Sequence, residues 1–321
     1  MKRKPDNRPR LLAIGGAHID RRGQVTGDYV PAASNPGAMI EDVGGVVFNA
    51  LRTSVRRGVA GALVSLRGGD GAGEQIARTI AEAGIEDLSA TFMDRSSASY
   101  TALIDRHGEL IAGFADMGLY DQFPRQLRRA ALRQAMAEAD AVLCDANLPA
   151  AALEAIGRHS AGPIYAIGIS PAKVVRLTGI LDRVACLFMN RKEAMTLTGQ
   201  SGLSEPGELI KRLRATGLRG AVVTDGSGPV IYFDETGAGR IAPPAPRHVA
   251  DVTGAGDALA GATVAARMTG RPLGDALRDG LAAAMLALES PQAVPPFTKR
   301  IFDAALRLVP QPTQLPTKER S

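Results

Sequence analysis

The sequence predicts an α/β fold of three layers (α/β/α), with a largely parallel central sheet between helices and a small β lid. Three observations carry this expectation. Apolar, β-prone runs alternate with amphipathic stretches, the pattern of βα units around a parallel sheet. A Gly-rich turn at Gly254–Gly256 opens a run of small apolar residues, which favours a helix starting there. Two stretches, 21–43 and 90–117, break the alternation and supply the lid.

Taken in order, Leu11–Ile14 is the first strand, and Gly45–Arg57 is the first helix, with Val47, Ala50, Leu51, Ser54 and Val55 forming a stripe of apolar or small residues. Ala62–Leu66 is a strand and Glu74–Ala83 a helix. Ser99–Asp105, the turn-like Arg106–Glu109 and Leu110–Phe114 read as a hairpin within the second lid segment. A helix over Pro124–Ala139 precedes strands at Ala141–Cys144, Ile164–Ile167 and Cys186–Met189. Helices at Arg191–Leu197 and Pro206–Ala215 follow, then a strand at Ala221–Thr224 with Val230–Phe233 as its antiparallel continuation. The helix opening near residue 255 runs to Ala266, and Leu273–Leu288 is another. No internal repeat or interdomain linker appears, so residues 10–309 form one domain. Residues 1–9 are expected to be a flexible basic leader and 310–321 a flexible tail.

Composition excludes several classes of function. A chain of 321 residues buries roughly three quarters of its unfolded surface, so a large core is available. No run approaches the roughly 18 apolar residues that span a bilayer, and the start lacks a signal-peptide pattern, so a cytoplasmic enzyme with no membrane partner is expected. The two cysteines, Cys144 and Cys186, follow β-prone stretches and offer neither a disulfide framework nor metal-ligand spacing. The net charge of +5 is local to the leader and to putative helix faces such as Arg125, Arg128, Arg129 and Arg133. With no Trp there is no interleaved stacking surface, so no nucleic-acid partner is expected; the basic balance suits an anionic nucleotide.

The segment Asp251-Val252-Thr253-Gly254-Ala255-Gly256-Asp257-Ala258-Leu259-Ala260-Gly261 joins an anion cradle to a carboxylate. Unpaired N–H groups at the helix start, from Gly254, Ala255 and Gly256 onward, favour a phosphate or the charge that builds during its transfer. Asp257, in the first turn, is the candidate general base toward an incoming hydroxyl. Alone, such a turn is also ordinary helix capping. Near the other end, Gly44 and Gly45 permit close backbone approach, and the Asn49 amide both donates and accepts, as contact with sugar hydroxyls requires. Gly15-Gly16-Ala17-His18-Ile19-Asp20 leaves the first strand with a carboxylate able to receive two adjacent hydroxyls. It lacks the spaced G-x-G-x-x-G of a dinucleotide-binding dehydrogenase.

The string DVTGAGDALAG closely resembles the C-terminal signature of the ribokinase-like (PfkB-type) sugar and nucleoside kinases, and Gly44–Gly58 resembles their N-terminal hallmark. The resemblance implies a ribokinase-like fold and transfer of phosphate from ATP to an alcohol. By the same resemblance, Asn190-Arg191-Lys192-Glu193 matches an Asn-x-x-Glu element in which Glu193 helps hold Mg²⁺ through water and Asn190 lies near the phosphates. Thr224 and Gly226 belong to a Thr-x-Gly nucleotide loop that departs from the pattern at Pro229. Asp251 and Thr253 are expected at a monovalent-cation site for K⁺, with Ser290–Pro295 as its other wall. A lid in this family covers the sugar and often contributes to a homodimer.

For the acceptor, the resemblance places Asp20 on a ribose-like diol. Ser34-Asn35-Pro36-Gly37, Ser96–Tyr100, Ala115–Met117 and Asp145–Asn147 together resemble pseudouridine kinases, with Asn35 as a partner for base or ribose. His18 departs from that group, where Asn is expected, and either donates to a substrate oxygen or is a strand-end histidine. Ile167 departs from an Asp-Pro strand end. The implied reaction is phosphorylation of the pseudouridine 5′-hydroxyl. Alternatives are a ribokinase-like sugar kinase, a kinase for adenosine or inosine, and a catalytically silent ligand sensor. A nucleoside kinase should show an apolar slot from Phe114, Met117 or Tyr100 beside the diol pocket.

Overall fold

A computed structural model describes residues 7–200, 202 and 205–315. The first six residues of the leader and residues 316–321 of the tail lie outside the described residues. β1 (Arg10–Ile14) is apolar and buried beyond its first residue. The chain then leaves the main body as the hairpin β2 (His18–Val25) and β3 (Gly37–Gly44), and returns through α1 (Val46–Arg56). Next come β4 (Ala60–Val64), β5 (Leu66–Gly68), α2 (Gly71–Glu82), β6 (Glu86–Asp87) and β7 (Ala90–Phe92). A second hairpin, β8 (Ser99–Ile104) and β9 (Leu110–Asp116), precedes a 3₁₀ turn over Gly118–Gln122.

The predicted helix over 124–139 is two helices, α3 (Phe123–Gln126) and α4 (Ala130–Glu138), because the backbone turns extended at Arg129, with φ −66° and ψ 134°, between them. The succeeding units are β10 (Ala141–Asp145), α5 (Ala150–His159), β11 (Ile164–Ile167), α6 (Pro171–Val174), a 3₁₀ stretch over Val175–Arg183 and β12 (Val184–Asn190). α7 (Arg191–Leu197), α8 (Pro206–Ala215), β13 (Ala221–Thr224), β14 (Val230–Asp234) and β15 (Gly237–Ile241) follow. The chain continues through α9 (Ala255–Arg267), α10 (Leu273–Leu288), α11 (Lys299–Leu308) and β16 (Thr313–Gln314).

The main sheet has ten strands in the order β16-β15-β14-β13-β12-β11-β10-β1-β4-β6, parallel from β13 to β6 and antiparallel beyond. Alternation along each strand divides the core: Leu11 and Ala13 face α1, α9, α10 and α11, while Leu12 and Ile14 face the layer of α3 to α8. The tail does not hang free over 310–315. Thr313 and Gln314 pair with Arg240 and Gly239, and the Leu315 amide donates to the Ala238 carbonyl.

Because β1 is flanked by β10 on one side and β4 on the other, the strand order reverses at β1, which opens a crevice above the carboxyl ends of β1 and β10. A separate four-stranded sheet, β3-β2-β8-β9, stands beside it. Its strands come from the two stretches that break the βα alternation; residues 90–92 instead pair with β5.

Candidate active site

α9 begins at Gly254, whose φ of 80° is open to glycine and strained for other residues, and a Cβ there would lie 2.6 Å from the Ala293 carbonyl oxygen. No side chain caps this end, and the first helical bond runs from the Ala258 amide to the Gly254 carbonyl. The amides ahead of Ala258 are therefore left for an anion.

Asp257 sits in that first turn, half-buried, on the wall of a cavity of about 240 Å³ that also includes Gly256, Asn190, Glu193 and Thr224. Its Oδ2 accepts from the Asn49 amide at 3.0 Å. Asn49, expected to contact sugar hydroxyls, is 4% exposed and a buried partner of Asp257. Packing explains this. A Cβ at Gly261 would lie 2.1 Å from the Ala50 carbonyl oxygen, so the last glycine of the motif lets α9 and α1 touch backbone to backbone, and Ser54 Oγ donates to the Gly261 carbonyl at 2.8 Å. Asn49 and Asp257 face each other one turn up that seam. Burial pushes the Asp257 carboxyl up to about 7; the Asn49 bond opposes this, and the Asp145 and Asp20 charges add to it.

On the nucleotide side, Asn190 caps α7 reciprocally with Glu193: the Glu193 amide donates to Asn190 Oδ1, and the Asn190 backbone and side-chain amides donate to Glu193 at 3.0 and 2.6 Å. Glu193 is 2% exposed, burial raises its pKa against these two bonds, and a Cβ at Gly168 would lie 2.4 Å from its Oε2. Both oxygens accept a hydrogen bond. The oxygen-bearing side chains on this wall fit a hydrated magnesium ion that completes its shell with phosphate, since magnesium retains water and takes few protein carboxylates. Among the described residues no group of three or more His, Cys, Asp or Glu could hold a metal alone. Thr224 lines the cavity, whereas Gly226, at φ 57°, forms the turn between β13 and β14 outside that lining.

On the lid side, His18, Asp20 and Arg22 alternate along β2 and share one face of the lid sheet. Gly44 and Gly45 have separate jobs. A Cβ at Gly44 would lie 1.9 Å from Asp20 Oδ2, and Gly45, at φ 120°, passes so close to Gly16 that a Cβ would meet its carbonyl at 2.2 Å. Tyr100 pairs with Asp20 across β8 and β2, and its ring runs over Gly113 on the same face. Phe114 lies on the opposite face and is 70% exposed, while Met117 packs against the main core, so of the three aromatic or apolar slot candidates only Tyr100 stands beside Asp20.

Two expected site residues are engaged within the protein itself. Asn35 bonds to its own loop: Oδ1 accepts from the Val30 amide and Nδ2 donates to the Val30 and Ala33 carbonyls, which uses both of its hydrogens. Asp251, expected at a monovalent-cation site, is paired here with a guanidinium. Arg22 donates to Asp251 Oδ2 while the Thr253 amide donates to Oδ1 at 2.9 Å, and on the other wall Arg56 donates to the Pro295 carbonyl. Burial raises the Asp251 pKa, but the Thr253 and Arg22 bonds outweigh it and leave the carboxyl below its ordinary range. Thr253 is exposed.

Sequence reasoning left Tyr120 and Arg22 out of the site and gave Asp145 no role beyond the Asp145–Asn147 resemblance. Asp145 closes β10 at the crevice, fully buried; it accepts from the Asn147 amide at 2.8 Å, and its Oδ2 has no partner. Burial pushes this carboxyl up to about 6 against the Asn147 bond and the His18 and Lys173 charges. A carboxylate ending an apolar run was the available signal. Nothing local marks Tyr120.

The profile of the pfkB family carbohydrate kinases matches residues 8–300. The chain belongs to this family. A pfkB-type fold also explains the solved structures it resembles. A carbohydrate kinase from Agrobacterium tumefaciens superposes with a TM-score of 0.85 at 43% identity, covering 96% of this chain and 100% of that one. The Arabidopsis thaliana ribokinase solved with ribose and ATP superposes with a TM-score of 0.83 over 94% of this chain and 99% of that one, at 18% identity, a likeness of fold. Among characterised relatives, the pseudouridine kinase of Escherichia coli K12 is 27% identical over 282 residues, 87% of this chain and 90% of the relative. Among the described residues of this pfkB-family kinase, no helix is long and apolar enough to cross a membrane.

Proposed function

We propose that this kinase transfers the γ-phosphate of ATP to the 5′-hydroxyl of a nucleoside, with pseudouridine as the leading acceptor. The observation that carries the reading is the convergence of Asp257 and the uncapped start of α9 with Asn190, Glu193 and Thr224 on one cavity wall, while Asp20 acts on Asp257 from the acceptor side. Asp257 takes the proton of the attacking hydroxyl, and the α9 amides receive the charge that grows on the phosphoryl group. Magnesium bound with ATP would neutralise charge on the β- and γ-phosphates, with Glu193 holding it through water and Asn190 near the phosphates.

Asp20 receives the ribose diol. Tyr100, next to Asp20 on the same sheet face, offers a ring for a base to lie against, which a free-sugar kinase does not need. Similarity to pseudouridine kinases of two organisms over 87% and 89% of the chain agrees with a nucleoside acceptor. Incubation with ATP and a panel of pseudouridine, uridine, cytidine, adenosine, inosine and ribose, read by mass of the phosphorylated product, tests it. Pseudouridine 5′-phosphate is expected as the fastest product. Fast phosphorylation of ribose with none of pseudouridine would overturn the acceptor, and ATP binding without transfer to any member would favour the silent sensor.

A further inference from the structure

Three side chains stand in line at the acceptor end of the crevice, and phosphoryl transfer uses only the last. Tyr120 Oη lies 3.0 Å from His18 Nδ1, and His18 Nε2 lies 3.2 Å from Asp20 Oδ1. We propose that His18, oriented by Tyr120, is a positioning residue that fixes the Asp20 carboxylate for the acceptor diol; the functional part of this rests on Asp20 being the acceptor ligand.

The direction of each hydrogen bond follows from chemistry. A carboxylate only accepts, so Nε2 carries the hydrogen that faces Asp20. Burial, with the Asp145 and Asp20 charges, pushes the Tyr120 phenol well above its ordinary pKa, so it stays an O–H, and toward a ring whose single hydrogen is at Nε2 it donates to the bare Nδ1. The phenol thereby selects the Nε2–H tautomer, as a hydrogen bond at one ring nitrogen decides the state of the other. Tyr120 is itself immobilised: it is 4% exposed, and Phe123 packs against it edge-on with centroids 5.5 Å apart.

The backbone makes room for both ends of the line. A Cβ at Gly16 would lie 2.3 Å from Tyr120 Oη, and one at Gly44 would lie 1.9 Å from Asp20 Oδ2. Asp20 is thus held on Oδ1 by a donor and bounded on Oδ2 by a glycine, while its side chain stays 36% exposed for a ligand. An asparagine at position 18 offers a donor to Asp20 but lacks the rigid second ring nitrogen that receives Tyr120.

Two measurements test this. Long-range ¹H–¹⁵N correlation on enzyme labelled at its four histidines, with His18 assigned by its loss in His18→Asn, reads the tautomer without any substrate. The Nε2–H form is expected in the parent, with a changed Nδ1 shift in Tyr120→Phe; an Nδ1–H form would overturn the assignment. In kinetics, Tyr120→Phe should raise the acceptor KM about tenfold, the worth of one hydrogen bond, and leave kcat and the ATP KM within about twofold. The same change in a His18→Asn background should add nothing. An unchanged acceptor KM, equal effects in both backgrounds, or a parallel loss in kcat would overturn the positioning role. Failure of the whole panel to accept phosphate would overturn the nucleoside-kinase reading instead, and the tautomer would still decide the hydrogen-bond assignment.

Discussion

Replacing Asp257 by asparagine separates the chemistry of the base from the cost of burying it. Burial lifts this carboxyl from 3.8 to about 7, so the folded protein holds the proton more tightly than the unfolded chain does. Ionising it therefore costs stability: the penalty is absent below about pH 4, grows between pH 4 and 7, and is complete above about pH 7. A rise from 3.8 to about 7 corresponds to roughly 4 kcal/mol, which pocket water around the half-buried carboxylate screens to about 2 kcal/mol. An amide at 257 keeps an oxygen for Asn49 and carries no charge. Asp257→Asn is thus expected to be about 2 kcal/mol more stable than the parent at pH 8 and equal to it near pH 4, while turnover falls by about 10²- to 10⁴-fold. Thermal unfolding by circular dichroism between pH 4 and 9 should show a Tm gain of roughly 4 °C at pH 8 that fades on acidification. A variant destabilised equally at every pH, or one that retains turnover, would refute the reasoning.

Two further substitutions follow from the same geometry. Asn49→Ala removes the one hydrogen bond that holds the Asp257 pKa down, so the acidic limb of kcat/KM against pH should move to higher pH; an unmoved limb would show that Asn49 does not act through the base. Gly44→Ala places a methyl 1.9 Å from Asp20 Oδ2 and should raise the acceptor KM more than tenfold with the ATP KM little changed, a split that steady-state kinetics reads directly.

The parallel strands and most amphipathic helices were legible because their periodicity is local: α7, α8, α10 and β13 have the ends their patterns predict. β16 was not legible, since Thr313 and Gln314 carry no strand signal and pair only because β15 presents a free edge. At the site, Gly44, Gly45, Gly254 and Gly261 announced themselves through backbone demands that few other residues meet. The loop bonds of Asn35 were not legible, because an amide suited to a ligand is equally suited to its own loop. The ion pair of Asp251 was not legible because its counter-charge, Arg22, lies 229 residues away. Tyr120 escaped notice for the same reason: its partner is 102 residues distant, and a tyrosine after a glycine and a leucine carries no pattern of its own.

The seam between α1 and α9 also bears on how the enzyme is made. Asn49 and Ser54 bond to Asp257 and Gly261 across 208 and 207 residues. During synthesis the first two thirds of the chain emerge with that face of α1 uncovered. The base and the helix mouth arrive only with the last third, so a nascent or truncated polypeptide is inert and presents an apolar surface that α9 later covers.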